Sequence, residues 1–287
     1  MISFEPQHGR VGFIGLGAMG HGMAHCLLRR GWRLDVFARR AEAAQSLVAA
    51  GARATSSPSE LGRGCTLVFL SLSDAQAVEE VLFGDQGLAA SLQGGSVVVD
   101  TSTISAQSAR AIGARLEKLG VWLLDAPVSG GQQGAEAGTL ACMVGGPAEV
   151  LDACRDVMNA FSKTITHIGP LGSGQTVKSC NQVAVAANLL GVIEAIELAR
   201  AQGVDPNVMR EVILGGTGRS FSMEKQAPRI IEGDFKPGFR AELMRKDLRI
   251  ALESGVELPV ARRAERLLDE LCESGQGDAD WSAIGRR

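Results

Sequence analysis

Short apolar runs alternate with stretches of helical periodicity from residue 10 to about residue 172. Runs of this length, bounded by glycine and polar clusters, are typical of buried strands, and the periodic stretches between them are typical of amphipathic helices. Because strands and helices alternate, we predict a doubly wound, mostly parallel sheet with right-handed crossovers. The predicted strands are 10–16, 33–37, 66–71, 96–100, 121–124 and 141–144.

The pattern changes after Gly174, where helical periodicity continues and no further strand is predicted. We therefore expect an α/β domain over residues 1–172 and an all-α domain over residues 173–287, joined by a long helix. The apolar run 183–199 in that helix contains Asn188 and Glu194, so we do not expect it to span a membrane. The predicted helices are 175–202, 207–214, 222–232, 241–254 and 258–273.

Composition narrows the class of protein. The 287 residues are 45% hydrophobic and 21% charged, the profile of a soluble globular protein of one or two domains. A net charge of -3 provides no basic field for nucleic acid or an anionic membrane. The N-terminus lacks the layout of a secretory signal, and the six cysteines form no CxxC pair. We therefore expect free thiols and a cytoplasmic location.

A glycine-rich turn follows the first predicted strand. Gly15, Gly17 and Gly20 form a GxGxxG motif that ends a strand and opens a helix. In this context the glycines permit a tight turn, and the helix N-terminus, with Ala18 and Met19, offers backbone N–H groups to a pyrophosphate. The alternative is a glycine-rich turn that binds nothing.

The end of the second predicted strand indicates which dinucleotide is bound. Asp35 lies before the strand end, and strand alternation does not require it to face the ribose. Arg39 and Arg40 follow the strand, and two guanidiniums suit a 2′-phosphate. We therefore favour NADP(H), with NAD as the alternative cofactor and solvated surface arginines as the alternative interpretation.

Two further stretches carry candidate chemistry. DAPVSGG, at 125–131, provides a hydroxyl and approachable N–H groups that suit a carboxylate, although a simple tight turn explains it equally well. GSGQTVKSCNQ, at 172–182, places Lys178 and Gln182 on one helical face with Asn181 beside them. A buried lysine suits proton exchange with a substrate oxygen, whereas an isolated lysine more often reaches the solvent.

Five stretches together carry a family resemblance. FIGLGAMGHGMAHCL, VDTSTIS, DAPVSGG, GSGQTVKSCNQ and DFKPGFRAELMRKDL occur in this order, and the chain resembles the β-hydroxyacid dehydrogenases from about residue 10 to residue 283. The resemblance implies a Rossmann domain, a long helix and a helical domain, with Lys178 as the general acid/base. It places the substrate carboxylate at Ser129, Gly130 and Gly131 and the rest of the substrate at Asn181 and Gln182. It also places the cofactor at Leu72, Ser73, Phe239 and Lys246, with Thr103 near the nicotinamide.

Some positions depart from the family pattern. Cys26 follows His25 where members usually have a Lys-Asn pair, and Ser73 replaces a proline. Ala38 replaces an Asn or Asp, so Arg39 and Arg40 are the main residues expected to bind a 2′-phosphate. Members usually continue beyond the last residues of this sequence, so the resemblance predicts a shortened C-terminal cap.

The resemblance implies hydride transfer between NADP(H) and a short β-hydroxy acid or semialdehyde. The CNQ form resembles the tartronate semialdehyde (2-hydroxy-3-oxopropionate) reductase branch. 3-Hydroxyisobutyrate dehydrogenase, another short hydroxy-acid dehydrogenase and a non-catalytic NADP(H)-binding regulatory protein are the alternatives. The expected partners are a small carboxylate substrate and identical subunits in a homodimer or homotetramer. The four histidines lack metal-ligand spacing, so no metal is expected.

Overall fold

The structure is a computed structural model that describes residues 9–286. The chain divides into two compact units, residues 1–178 and 179–287. The division falls inside a long helix, Ser173–Ala201, whereas the sequence pattern placed the domain boundary before that helix.

The first unit contains a mixed, mainly parallel sheet. Within the described residues its strands are β1 Arg10–Ile14, β2 Arg33–Phe37, β3 Arg53–Ala54, β4 Leu67–Leu70, β5 Val97–Asp100, β6 Trp122–Asp125, β7 Val128–Ser129, β8 Leu140–Gly145 and β9 Ser162–Gly169. Their order is β3-β2-β1-β4-β5-β6-β8-β7, with β9 paired to β8. The strands from β3 to β6 are parallel, whereas β8 runs antiparallel to β6 and β7 and parallel to β9.

Helices connect these strands and cover the sheet. They are α1 Ala18–Arg29, α2 Gln45–Ala49, α3 Pro58–Gly64, α4 Ala75–Phe83, α5 Ala106–Glu117, α6 Gly131–Ala137 and α7 Ala148–Met158. Two buried clusters form on the two faces of the sheet. Val11 and Phe13 of β1 belong to one, and Ile14 belongs to the other. The strands β4 and β5 are wholly buried, which is why they read as uninterrupted apolar runs.

The second unit is helical. The long helix α8, Ser173–Ala201, runs into it and is followed by α9 Pro206–Leu214, α10 Phe221–Glu232, α11 Ala241–Leu252 and α12 Pro259–Leu271. Its core gathers apolar residues from α8, α10, α11 and α12 with Trp281. Among the described residues α8 has the length and apolarity of a membrane-spanning helix, a property that it shares with core helices of soluble proteins.

Sequence patterns predicted the doubly wound sheet and the helical second part correctly. Each predicted strand is present with small differences at its ends, and the strand order 3-2-1-4-5-6 is that of a Rossmann fold. The pattern missed β3, β7 and β9. The first two have only two residues each, and β9 is mostly polar or partly exposed, so it lacks the apolar signal of a buried strand.

Candidate active site

The strand order creates a crevice at the carboxyl ends of β1 and β4. These strands are neighbours, and the chain moves outward from them in opposite directions, which is where open α/β sheets bind ligands. Gly15 follows β1, and Leu72 follows β4 and lies beside it. The structure thus brings together two of the residues predicted to contact the cofactor.

The turn between β1 and α1 fits a pyrophosphate. A side chain at Gly20 would overlap the Gly15 carbonyl, whereas a Cβ at Gly17 would meet no atom within 4 Å. Gly17 is the N-cap of α1 and provides no side-chain acceptor for the first-turn N–H groups. Ala18 and Met19 begin this helix, so their N–H groups point toward the space above Gly17. The glycine pattern therefore leaves a cradle that suits an anion.

The residues after β2 suit a second phosphate. Arg39 and Arg40 are both exposed just beyond the strand end at Phe37. Asp35 is completely buried, and its carboxylate accepts hydrogen bonds from Arg10 Nη1 at 2.8 Å and Arg53 Nη2 at 2.6 Å. Arg10 and Arg53 thus bind the Asp35 carboxylate. The side chains of Arg39 and Arg40 remain exposed.

Lys178 lies beside the Ser-Gly-Gly loop. Its side chain is only 7% exposed, and its Nζ donates a hydrogen bond to the Val128 carbonyl at 2.9 Å. Ser129 is the next residue, and Gly130 and Gly131 are exposed with positive φ angles of 136° and 64°. Residues that are about 50 positions apart in the sequence are therefore neighbours.

Asp125 fixes the start of the helix that carries Lys178. One carboxylate oxygen accepts a hydrogen bond from Gly172 N at 2.6 Å, and the other accepts one from Gln175 N at 2.8 Å. Burial raises the pKa of Asp125 from 3.8 to about 6, and the backbone hydrogen bonds oppose this rise. Asp125 begins the DAPVSGG stretch, where the sequence pattern predicts no role for it. Because its contacts are long-range, spacing alone did not reveal them.

The loop after β5 joins other parts of the site. Ser102 Oγ accepts a hydrogen bond from Leu72 N at 2.8 Å, and Ser102 N donates one to Asp100 Oδ1 at 2.9 Å. Thr103 follows directly and is partly buried, whereas Ser73 is exposed and its hydroxyl donates to Asp74. The predicted cofactor residues Leu72 and Thr103 therefore lie on loops that are hydrogen-bonded through Ser102.

Gln182 belongs to the second unit and is held by an acidic partner of the same unit. Its Nε2 donates to Asp247 Oδ2 at 2.7 Å, and its Oε1 accepts from Asn181 Nδ2 at 2.9 Å. Asp247 is 3% exposed and also pairs with Lys246 at 3.2 Å. Sequence reasoning missed Asp247, although it lies in the quoted RKDL stretch. The sequence signal that could have indicated its role is an acidic residue within the family stretch DFKPGFRAELMRKDL.

Phe239 and Lys246, which were predicted to contact the cofactor, also lie in the second unit. Phe239 precedes α11, and its N–H donates to the buried Asp280 at 3.0 Å. The roles of Phe239 and Lys246 toward the cofactor remain predictions.

The unusual residues on α1 have structural contacts. The Cys26 thiol, which replaces an amide, donates to the Ala135 carbonyl at 3.2 Å. His21 contacts Ser46 Oγ at 2.7 Å, and its ring packs edge-on against His25. His8 lies outside the described residues. Within residues 9–286 no group of three or more potential metal ligands is found.

Comparison with known proteins identifies the family. Residues 10–169 match the NAD binding domain of 6-phosphogluconate dehydrogenase, and residues 172–287 match the NAD-binding region of NADP-dependent 3-hydroxyisobutyrate dehydrogenase. NAD-dependent L-serine dehydrogenase of Pseudomonas aeruginosa is 38% identical, with 96% of each chain covered. 2-Hydroxy-3-oxopropionate reductase of Escherichia coli is 36% identical, with 96% of this chain and 95% of the relative covered.

Solved structures agree with this assignment. Mycobacterium tuberculosis 3-hydroxyisobutyrate dehydrogenase with L-serine has a TM-score of 0.88 at 32% identity, covering 96% of this chain and 98% of that chain. Psf3 in complex with NADP+ and 2-OPP has a TM-score of 0.89 at 30% identity, covering 96% of this chain and 98% of that chain. The fold and site define an NAD(P)-dependent oxidoreductase that acts on a CH–OH group, and the chain belongs to the β-hydroxyacid dehydrogenase family.

Proposed function

We propose that this protein is an NADP(H)-preferring reductase of short semialdehydes that carry a carboxylate, with 2-hydroxy-3-oxopropionate as the substrate. The position of Lys178 carries this proposal. Its Nζ lies 2.9 Å from the Val128 carbonyl, immediately before the Ser-Gly-Gly loop. A proton donor is thus placed next to groups that suit a carboxylate.

The residues of this chain account for binding and proton transfer. The Ser129 hydroxyl and the N–H groups of Gly130 and Gly131 bind the substrate carboxylate, and this contact orients the aldehyde toward Lys178. When bound, NADPH supplies the hydride that forms the new C–H bond at the aldehyde carbon. The Lys178 ammonium gives one proton to the aldehyde oxygen and becomes a neutral amine. In the reverse direction the neutral amine accepts the hydroxyl proton.

Three residues support the preference for NADP(H) over NAD(H). Arg39 and Arg40 are exposed after β2, where a 2′-phosphate would be neutralised by paired guanidiniums. Asp35 is buried and engaged by Arg10 and Arg53, so its carboxylate would not repel that phosphate from the ribose pocket. NAD(H) is the alternative cofactor.

The substrate assignment rests on Gln182 and on a relative. Gln182 occupies the CNQ position, and its amide is fixed by Asp247. The relative named 2-hydroxy-3-oxopropionate reductase is 36% identical. Because one methyl or hydroxyl changes discrimination by only about 1–3 kcal/mol, 3-hydroxyisobutyrate and L-serine are the competing substrates.

A spectrophotometric panel tests this proposal. NADPH or NADH is offered with short semialdehydes, and NADP+ or NAD+ with the matching hydroxy acids, while absorbance at 340 nm is followed. We expect the highest kcat/KM with NADPH and 2-hydroxy-3-oxopropionate. Faster turnover of another substrate would reassign the substrate. NADPH binding without turnover of any member would indicate a non-catalytic binding protein.

We further propose a homodimer or homotetramer in the cytoplasm. Helix α9 has no buried residue, and Val208 and Val212 on one of its faces are 55% and 72% exposed. Leu198 of α8 and Phe221 of α10 are also more than half exposed. Such apolar exposure is typical of a face that another subunit covers. The free cysteines support a reducing compartment.

A further inference from the structure

Gln175 occupies the first turn of α8 and is almost completely buried. Its side chain is bonded on both of its polar atoms: Oε1 accepts from Ile104 N at 3.2 Å, and Nε2 donates to the Ser102 carbonyl at 2.8 Å. The two partners flank Thr103 in the loop after β5, residues 101–105, which is called the Thr103 loop below. The amide therefore binds the backbone on either side of the residue predicted to lie beside the nicotinamide.

An amide is the side chain that suits this pair of backbone groups. Ile104 presents a donor and Ser102 presents an acceptor, both in a buried place. A carboxylate offers no donor and an ammonium offers no acceptor, so only an amide of this reach satisfies both. Without it, the two backbone groups would lose their partners away from water.

The backbone of Gln175 is itself held in place. Gln175 N donates to Asp125 Oδ2 at 2.8 Å, and Gly172 N donates to Asp125 Oδ1 at 2.6 Å. A side chain at Gly174 would collide with the Met143 and Asp125 carbonyls, so the helix start lies directly against β6 and β8. The base of the Gln175 side chain therefore cannot shift without moving the start of α8.

Lys178 is three residues further along the same helix. Residues at this spacing lie on one helical face, and both Gln175 and Lys178 are buried. Lys178 Nζ contacts the Val128 carbonyl. Gln175, which contacts the Thr103 loop, and Lys178, the proposed proton donor, are therefore one rigid helical turn apart.

We propose that Gln175 is a positioning residue that fixes the Thr103 loop relative to the Lys178 ammonium. It does not touch the reacting atoms. It acts by holding the loop and the helix in one arrangement, so that the substrate oxygen and carbon are presented to the proton donor and to the nicotinamide together. This inference rests on the proposed function, which assigns proton transfer to Lys178.

Gln175→Met tests the proposal because it retains the length of the side chain and removes both hydrogen bonds. We expect kcat for semialdehyde reduction to fall about tenfold or more, since small displacements of reacting groups reduce rates strongly. The KM values for NADPH and substrate should stay within about twofold of wild type. With NADPH deuterated at the transferred position, the isotope effect on kcat should rise because hydride transfer becomes more rate-limiting.

Thr176→Ala is the matched control. Thr176 is exposed in the same turn, and its hydroxyl donates a hydrogen bond to the Gly172 carbonyl. We expect its kcat and isotope effect to match those of wild type. Gln175→Glu is the second variant: it retains an acceptor for Ile104 and places an oxygen against the Ser102 carbonyl, so its kcat should also fall.

Two measurements separate the possible failures. Hydrogen exchange at the Ile104 amide should be faster in Gln175→Met, whatever the protein catalyses. If wild type reduces no semialdehyde, the proposed function and the positioning role are both wrong, while the exchange result still reports the contact. If wild type is active and each folded Gln175 variant retains the wild-type kcat and isotope effect, Gln175 has only a structural role and the proposal is overturned.

Discussion

At the scale of single residues, Lys178 is the proposed proton donor. It is buried at the head of an apolar helix, and its Nζ donates to the Val128 carbonyl. Burying an ammonium costs free energy, which polar contacts of this kind reduce. The buried stripe of α8 continues through Gln182 and Ala186 into the second unit. A lysine and an amide at the head of the helix agree with the proposed site there, and the apolar residues that follow form a core.

Replacing Lys178 should separate binding from turnover. We expect Lys178→Ala to lower kcat by roughly 10²- to 10⁴-fold, because the general acid is lost, while NADPH binding measured by fluorescence stays close to wild type. Lys163→Ala, at an exposed lysine of β9, is the matched control and should retain full activity. Turnover that survives in Lys178→Ala would assign proton transfer to another group.

The two exposed arginines after β2 should determine the cofactor. We expect the double variant Arg39→Ala, Arg40→Ala to raise the KM for NADPH about 10- to 100-fold, because charge-assisted hydrogen bonds contribute roughly 1.5–3 kcal/mol. Its KM for NADH should change little. Arg30→Ala, at an exposed arginine after α1, serves as control. Equal effects on both cofactors would show that the arginines do not read the 2′-phosphate.

At the scale of elements, we expect the stability of the junction between β6 and α8 to depend on pH. Burial raises the pKa of Asp125 from 3.8 to about 6. Because an unfolded chain has an ordinary carboxyl, the native state holds the additional proton between about pH 4 and pH 6. The contribution of Asp125 to the free energy of unfolding is therefore complete below about pH 4 and is lost as the pH rises through 6.

Urea unfolding across this pH range measures that contribution. The free energy of unfolding of wild type minus that of Asp125→Asn should fall by an amount on the order of 3 kcal/mol between about pH 4 and pH 6. Above that range the difference should be constant. Asp85→Asn removes an exposed carboxyl and controls for the change in net charge. A difference that does not vary with pH would contradict the raised pKa.

At the scale of the whole molecule, subunit association should cover the exposed face of α9. We expect light scattering to report a homodimer or homotetramer for wild type and a smaller species for Val212→Asp, because a charge opposes burial of that face. Circular dichroism should remain that of a folded helical protein. Val48→Asp, at a 44% exposed valine of the first unit, is the control. A monomeric wild type would refute the proposed assembly.

Much of the fold was predictable because its signals are local. Buried strands such as β4 and β5 are contiguous apolar runs, and the helices of the second unit have strong periodicity. The GxGxxG turn and the i, i+4 spacing of Lys178 and Gln182 are likewise readable within one turn or one helix. Backbone geometry fixes which neighbouring residues share a face, so such patterns need no knowledge of the fold.

The sequence by itself thus determined the element order, the location of the anion cradle and the candidate acid/base. Only the tertiary structure decided which groups hold them: Asp125 at the start of α8, Gln175 across 73 positions from Ser102, and Asp247 across 65 positions from Gln182. These are buried polar contacts between distant segments, and each needs one specific partner to offset the loss of water. Periodicity identifies the buried face of an element, but packing alone selects the partner that meets it.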